Sequence, residues 1–198
     1  MIILGLTGGI GMGKSTAAKI LRGFGLPVHN SDDAVHALLK KGGKAVKLVA
    51  KLFPDAHKGG AIDRKIVGRA VFKDPRKLKK LEKILHPLVR EAEGEFARRA
   101  RAKKIPAIVL EIPLLFETGA ERRCDATLCV TAPKAVQKAR VMKRPNMTPA
   151  RFKAILARQM PDDEKRKRAD YVIRTDKGPA DAKRHLMVVL NKLLLKKH

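Results

Sequence analysis

Apolar and polar positions alternate along this chain in blocks that read as strands and helices in turn. Ile2 to Leu6 is apolar throughout and predicts a buried strand, and the glycine-rich stretch behind it leads into a predicted helix over Ser15–Arg22, stopped by Gly23 and Gly25. Leu26–Asn30 reads as a second short strand, so the opening is a βαβ unit with parallel strands. A helix is expected over Asp32–Lys41, ended by Gly42-Gly43. Residues 44–104 carry no convincing strand pattern. There, Asp74-Pro75 has the form of an N-cap with proline at the first helical position, and Leu78, Leu81, Ile84 and Leu85 recur at helical spacing. Pro87 is expected to break that helix, with a second restarting there and carrying Leu88, Val89, Ala92 and Phe96 on one face. Ala107–Ile112 is apolar enough for a central parallel strand, and Ala126–Thr131 is a fourth. Helices follow over Pro133–Lys143 and from Thr148-Pro149 to about Met160, then a fifth strand over Tyr171–Arg174 and a last helix over Asp181–Lys196. The order predicts a three-layer α/β domain with a helical insertion.

Composition narrows this only modestly. The chain has 198 residues, 44% of them hydrophobic, with no Trp and one Tyr, which suits one domain with an inserted piece or two and a core of Leu, Ile, Val and Ala. Lys and Arg number 45 against 19 Asp and Glu, a formal net charge of +26 that attracts anionic ligands of many kinds. The cations are spread along the chain, which favours a solvated basic surface over a dedicated polyanion site. Cys124 and Cys129 are too few for a disulfide scaffold and lack zinc spacing; Cys129, in an apolar run, reads as a core residue. The apolar start is short, lacks a basic leader and reads as a strand, and no run approaches the ~20 residues of a membrane helix. A reducing cytoplasm is the expected location.

The chemistry lies in Gly8-Gly9-Ile10-Gly11-Met12-Gly13-Lys14-Ser15, which satisfies G-x-x-x-x-G-K-[ST] at every fixed position. Glycines let successive backbone N–H groups curl around phosphate oxygens, and the following helix aims its positive end at them. Gly11, Met12, Gly13, Lys14, Ser15 and Thr16 are the expected ATP contacts. Lys14 supplies a charge to the β- and γ-phosphates and Ser15 a hydroxyl for Mg²⁺. A dinucleotide fingerprint fails, because Thr16 or Lys14 stands where its last glycine or alanine is needed.

A guanine-reading N-K-x-D motif is absent, since Asn191-Lys192 continues as Leu193-Leu194. A small kinase fits better. Asp32, at the carboxyl end of the second strand, is placed to hold Mg²⁺ or accept a hydroxyl proton; the alternative is that Asp32 or Asp33 only caps a helix from Ala34. His86 either points at the acceptor or is a structural histidine at a helix end. Arg140 and Arg144, four apart on one helix face, are candidates to close on the phosphates. Lys165-Arg166-Lys167-Arg168 reads mostly as a solvated helix face.

These motifs together resemble the dephospho-coenzyme A kinase family over almost the whole chain. Leu6–Thr16 is similar to its opening L-T-G-G-I-x-x-G-K-S-T, Leu85-His86-Pro87 to its L-H-P, and Pro113–Glu117 to its P-L-L-F-E. Gln137, Arg140 and Arg144 are similar to its Q-x-x-R-x-x-x-R, and Arg158-Gln159 with Ala169–Ile173 to its closing R-x-Q…A-D-x-V-I. The resemblance implies a nucleoside-monophosphate-kinase-like P-loop fold and transfer of the ATP γ-phosphate to the ribose 3′-hydroxyl of dephospho-coenzyme A. It implies Lys14, Asp32 and Arg140 as catalytic, Arg140 and Arg144 on ATP, and Thr7, Asp32, His86 and Leu114 on the acceptor. Ser15 and Asp32 are implied for Mg²⁺. The expected division is a core of about 1–43, 105–139 and 169–198, a helical acceptor-binding insertion of about 44–104 and a lid of about 140–168. The chain departs from the family at Asn30, where an acid is usual, at His36 for arginine, at Glu111 for a shorter acid, and within Arg174-Thr175-Asp176 for asparagine.

Two other readings remain at this point. A nucleoside or nucleotide kinase would differ only in its acceptor. A basic nucleic-acid-binding P-loop protein is suggested by the charge, but the chain shows no stacking platform, zinc finger or helix-turn-helix signature. The expected partners are ATP and dephospho-coenzyme A, with no specific nucleic acid and no membrane; the oligomeric state is open.

Overall fold

The computed structural model describes residues 1–195, the side chain of Lys73 excepted. Its strands and helices follow in the order β1 (Ile2–Thr7), α1 (Lys14–Gly23), β2 (Val28–Asn30), α2 (Ser31–Leu39), α3 (Val46–Leu52), β3 (His57–Lys58), β4 (Ala61–Ile62), α4 (Arg64–Lys73), α5 (Pro75–Ala102), β5 (Ala107–Glu111), β6 (Ala126–Thr131), α6 (Lys134–Met142), α7 (Pro149–Leu156), α8 (Asp162–Arg168), β7 (Tyr171–Arg174) and α9 (Pro179–Leu195). The contacts divide the chain into two compact units, one of Met1–His29 with Ala100–His198 and the other of Asn30–Arg99. The second unit takes in α2, which the sequence reading assigned to the core.

The first unit is built on a five-stranded parallel sheet in the order β2-β5-β1-β6-β7. β1 is central, paired in parallel with β5 from Ile2↔Ala107 to Leu6↔Glu111 and with β6 from Leu4↔Ala126 to Thr7↔Cys129. Such a strand has both faces covered, and the apolar runs of β1, β5 and β6 reflect it. Leu4, Leu6, Val109, Leu128 and Val130 pack with Ala17, Ala18 and Leu21 of α1 and with Leu186, Val189, Leu190 and Leu193 of α9 in one continuous core. Lys196, the expected end of α9, lies outside the described residues.

The second unit is helical around Leu38, Val46, Val49, Phe53, Val67, Val71, Leu81 and Leu85. It also holds a two-stranded antiparallel hairpin of β3 and β4, which the sequence reading did not expect. Strands of two residues are too short to show alternation.

Pro87 does not break its helix. α5 runs through it without a stop for 28 residues. Proline removes one ladder hydrogen bond, from the carbonyl of Lys83, but both residues lie on the exposed face where water can take its place. The expected start of α2 at Asp32 is off by one residue, and the alternative of a helix from Ala34 capped by the acids is overturned. The Asn30 side chain caps the helix by accepting from the N–H groups of Asp32 (2.8 Å) and Asp33 (3.1 Å), so α2 begins at Ser31 and both acids occupy its first turn.

Candidate active site

β1 ends at Thr7, and the phosphate loop turns from its carboxyl end into the N-terminus of α1. Gly13 precedes that helix with φ 90°, and Gly11 has φ 75°. A Cβ at Gly13 would meet Thr175 Oγ1 at 2.7 Å, and one at Gly11 would meet the Val141 side chain at 2.6 Å. Both positions therefore exclude a side chain by backbone conformation and by crowding. α1 has no acidic residue in its first turn and no side-chain cap, so the orphan N–H groups and the positive end of the helix stay available to an anion.

Lys14 opens the helix with its Nζ 2.9 Å from Glu111 Oε1. Glu111 closes β5 and its side chain is only 2% exposed, while that of Lys14 is 14% exposed. The pairing is a charge-assisted hydrogen bond in poorly hydrated surroundings. Ser15 and Thr16 are exposed. Thr7 is buried, and its hydroxyl donates to the Pro113 carbonyl at 3.2 Å. Leu114, in the following turn, is partly buried, and its carbonyl accepts from the N–H and hydroxyl of Thr118.

The back of the loop is held by side chains from three elements. Gln137 of α6 donates to the Ile10 carbonyl at 2.8 Å, and Gln159, after α7, accepts from the Ile10 N–H at 3.0 Å. The Thr175 hydroxyl, just beyond β7, donates to the Met12 carbonyl at 2.9 Å. Arg140 reaches the same residue, with Nη1 2.9 Å from Thr175 Oγ1 and Nη2 2.7 Å from its carbonyl, and lies 3.4 Å from the Gly11 carbonyl. Arg140 and Arg144 do not share a helix. α6 ends at Met142, the chain turns with the Arg144 N–H on the Val141 carbonyl, and Arg144 is exposed.

The segment after α7 is pinned as well. Glu117 accepts from the Met160 N–H at 2.8 Å and pairs with Lys165 at 2.8 Å; Lys165 also donates to the Pro113 carbonyl. Lys165 is fully buried, which corrects its reading as part of a solvated basic face. Arg166, Lys167 and Arg168 of the same run are exposed. A cavity of about 930 Å³ opens beside the loop, lined by Gly9, Met12, Gln137, Phe152, Gln159 and Lys165 among others. α7 buries no residue fully, and Phe152, Ala154 and Ile155 are its half-buried positions.

In the second unit, Asp32 is exposed in the first turn of α2, and His86 is exposed on α5. Ser31 donates to the buried carboxylate of Glu93 at 3.2 Å, which fixes the start of the helix that carries Asp32. Among the described residues no group of three or more His, Cys, Asp or Glu is arranged to hold a metal ion. Mg²⁺ bound mainly by phosphates and water, with one or two protein oxygens, is consistent with such a donor set. No described helix is long and apolar enough to cross a membrane.

Thr175, Glu117 and Lys165 were missed as site-organising residues. The sequence signal for Thr175 is that it lies in Arg174-Thr175-Asp176, where the resemblance implies an asparagine; Gln137 and Gln159 stand in motifs of that resemblance that imply no role for them.

The dephospho-CoA kinase family model matches residues 2–181. A Paramagnetospirillum magneticum protein named dephospho-CoA kinase is 55% identical over 166 residues, covering 84% of this chain and 78% of that protein. A crystal structure from Thermus thermophilus aligns with TM-score 0.84 at 41% identity, over 97% of both chains. The dephospho-CoA kinase of Campylobacter jejuni aligns with TM-score 0.73 at 28% identity, over 99% of this chain and 98% of its own.

Proposed function

The chain belongs to the dephospho-CoA kinase family and phosphorylates dephospho-CoA with ATP in coenzyme A biosynthesis, and from that premise we propose how its residues divide the work. The observation that carries the reading is the loop Gly8–Ser15 at the head of α1, in a chain matched by the family over residues 2–181.

The loop N–H groups and the α1 N-terminus bind the ATP phosphates. The Lys14 ammonium turns from Glu111 to the β- and γ-oxygens, and Ser15 would hold Mg²⁺ through its hydroxyl. Magnesium held there with the nucleotide would supply positive charge to the phosphates. Asp32 orients the acceptor, the ribose 3′-hydroxyl of dephospho-CoA, and accepts its proton. Arg140, with its Nη atoms on Thr175, lends the phosphates the charge of its guanidinium, and Arg144 offers them a forked donor. Thr7 and Leu114 shape the acceptor side of the first unit, and His86 contacts the acceptor from α5. Little covalent chemistry is asked of the protein; positioning and charge stabilisation lower the barrier. We place the enzyme in the cytoplasm, where both substrates are soluble.

The test is an ADP-release assay with dephospho-CoA against a panel of nucleosides and nucleoside monophosphates. Turnover confined to dephospho-CoA is expected. Preference for a nucleoside or its monophosphate would reject the acceptor assignment.

A further inference from the structure

We infer that Thr175 and Gln137 are positioning residues that preset the phosphate loop from behind, by fixing which way two of its peptide groups face. The inference rests on the reading of Gly8–Ser15 as the ATP phosphate site.

The described backbone has no cis peptide. In a trans peptide the N–H of one residue points opposite to the carbonyl of the residue before it. Gln137 Nε2 holds the Ile10 carbonyl at 2.8 Å, so the Gly11 N–H is turned away from Gln137. The Thr175 hydroxyl holds the Met12 carbonyl at 2.9 Å, so the Gly13 N–H is turned away from Thr175. Each of these two loop donors is thereby aimed away from its own anchor before any anion arrives. Each anchor is itself fixed. Gln137 and Thr175 are both buried, 6% exposed. The Thr175 N–H donates to the Thr131 carbonyl of β6 at 2.9 Å, and its hydroxyl accepts from Arg140 while donating to Met12. Gly13 packs so closely on Thr175 that the contact leaves no space for a methyl group.

A loop of glycines has many conformations to lose on binding phosphate. Anchoring the carbonyls moves that ordering cost from the binding step to folding, which is preorganisation in the sense that raises affinity. Because Arg140 shares the Thr175 hydroxyl, the same residue also sets the guanidinium.

The experiment compares wild type, Thr175→Val, Thr175→Ser and Gln137→Met in steady-state kinetics with each substrate varied in turn. Thr175→Val keeps the side-chain shape and removes the hydroxyl. It is expected to raise KM for ATP about tenfold, the scale of one lost hydrogen bond in a preset site, with KM for dephospho-CoA within about twofold of wild type. Thr175→Ser should restore most of the ATP affinity, and Gln137→Met should act like Thr175→Val, which keeps the test open if one variant folds poorly. An unchanged KM for ATP in folded Thr175→Val and Gln137→Met would overturn the inference. So would equal rises in both KM values, the mark of general damage. Failure of the wild type to bind ATP with magnesium would strike the kinase reading itself.

Discussion

Lys14 Nζ lies 2.9 Å from Glu111 Oε1, so the cation assigned to the phosphates already has a buried anionic partner. Lys14→Ala should therefore do two separable things. Turnover should fall by on the order of a thousandfold or more, since the positive charge on the transferred group is lost. Stability should fall by on the order of 3 kcal/mol, because a buried carboxylate is left short of a counter-charge. The double variant Lys14→Ala/Glu111→Gln should recover the melting temperature and leave turnover low. Recovery of neither, or of both, would break the proposed division between the two residues.

Asp32 stands in the first turn of α2 behind an Asn30 cap and is exposed. Asp32→Asn should lower kcat by on the order of a hundredfold or more, the usual weight of a general base, with ATP affinity nearly unchanged. Single-turnover kinetics and ATP titration separate the two. An effect confined to ATP affinity would remove Asp32 from the proton-accepting role.

Lys165 is fully buried against Glu117, whose side chain is 16% exposed. Breaking such a pair from one side costs about 3–5 kcal/mol, whereas replacing both members is far milder. Urea unfolding of Lys165→Met should show that loss, and Lys165→Met/Glu117→Gln should regain much of it. Glutamine keeps an acceptor for the Met160 N–H, which a larger apolar replacement would not.

Much of the fold was written locally, and what was not shows where local reading ends. β6 and β7 were legible to the residue, since each is a short β-rich run between turn signals. The phosphate loop was legible because its backbone geometry demands glycine at fixed places. Lys165 was misread because four successive cations look solvated; its partner is 48 residues distant in the chain. The Lys14–Glu111 pair spans 97 residues and the Thr175–Met12 contact 163, so neither leaves a mark in any window of sequence. Pro87 failed as a stop because its lost hydrogen bond falls on the exposed side of a helix packed on its other face.

Burial pushes the Cys129 thiol up to about 12, with the Asp162 carboxylate adding to the shift. A thiol so rarely ionised is a poor nucleophile at neutral pH. Cys124 is only partly buried. Titration with a thiol reagent near pH 8 should label Cys124 in the native protein and both cysteines after denaturation. Native labelling of Cys129 would contradict its enclosure.

Asp74 caps α5, and the N–H of Arg76 holds its carboxyl below the usual 3.8, with further help from the N–H of Lys77. A depressed folded-state value means the carboxylate stabilises when ionised. Its contribution is complete above the unfolded value and vanishes as pH falls through the folded one. Asp74→Ala should thus melt lower than wild type at neutral pH, with the gap closing as pH falls below the ordinary carboxylate range. Asp74→Asn, a comparable cap without a titrating proton, should stay close to wild type at neutral pH.

The peptide of Ile10 is gripped at both ends, its oxygen by Gln137 and its nitrogen by Gln159. Gln159 lies three residues beyond α7, a helix whose Phe152, Ala154 and Ile155 are only half-buried. Any displacement that carried Gln159 outward would break its bond to the Ile10 N–H and leave that peptide held by its oxygen alone, so the phosphate cradle would lose one of its side-chain anchors.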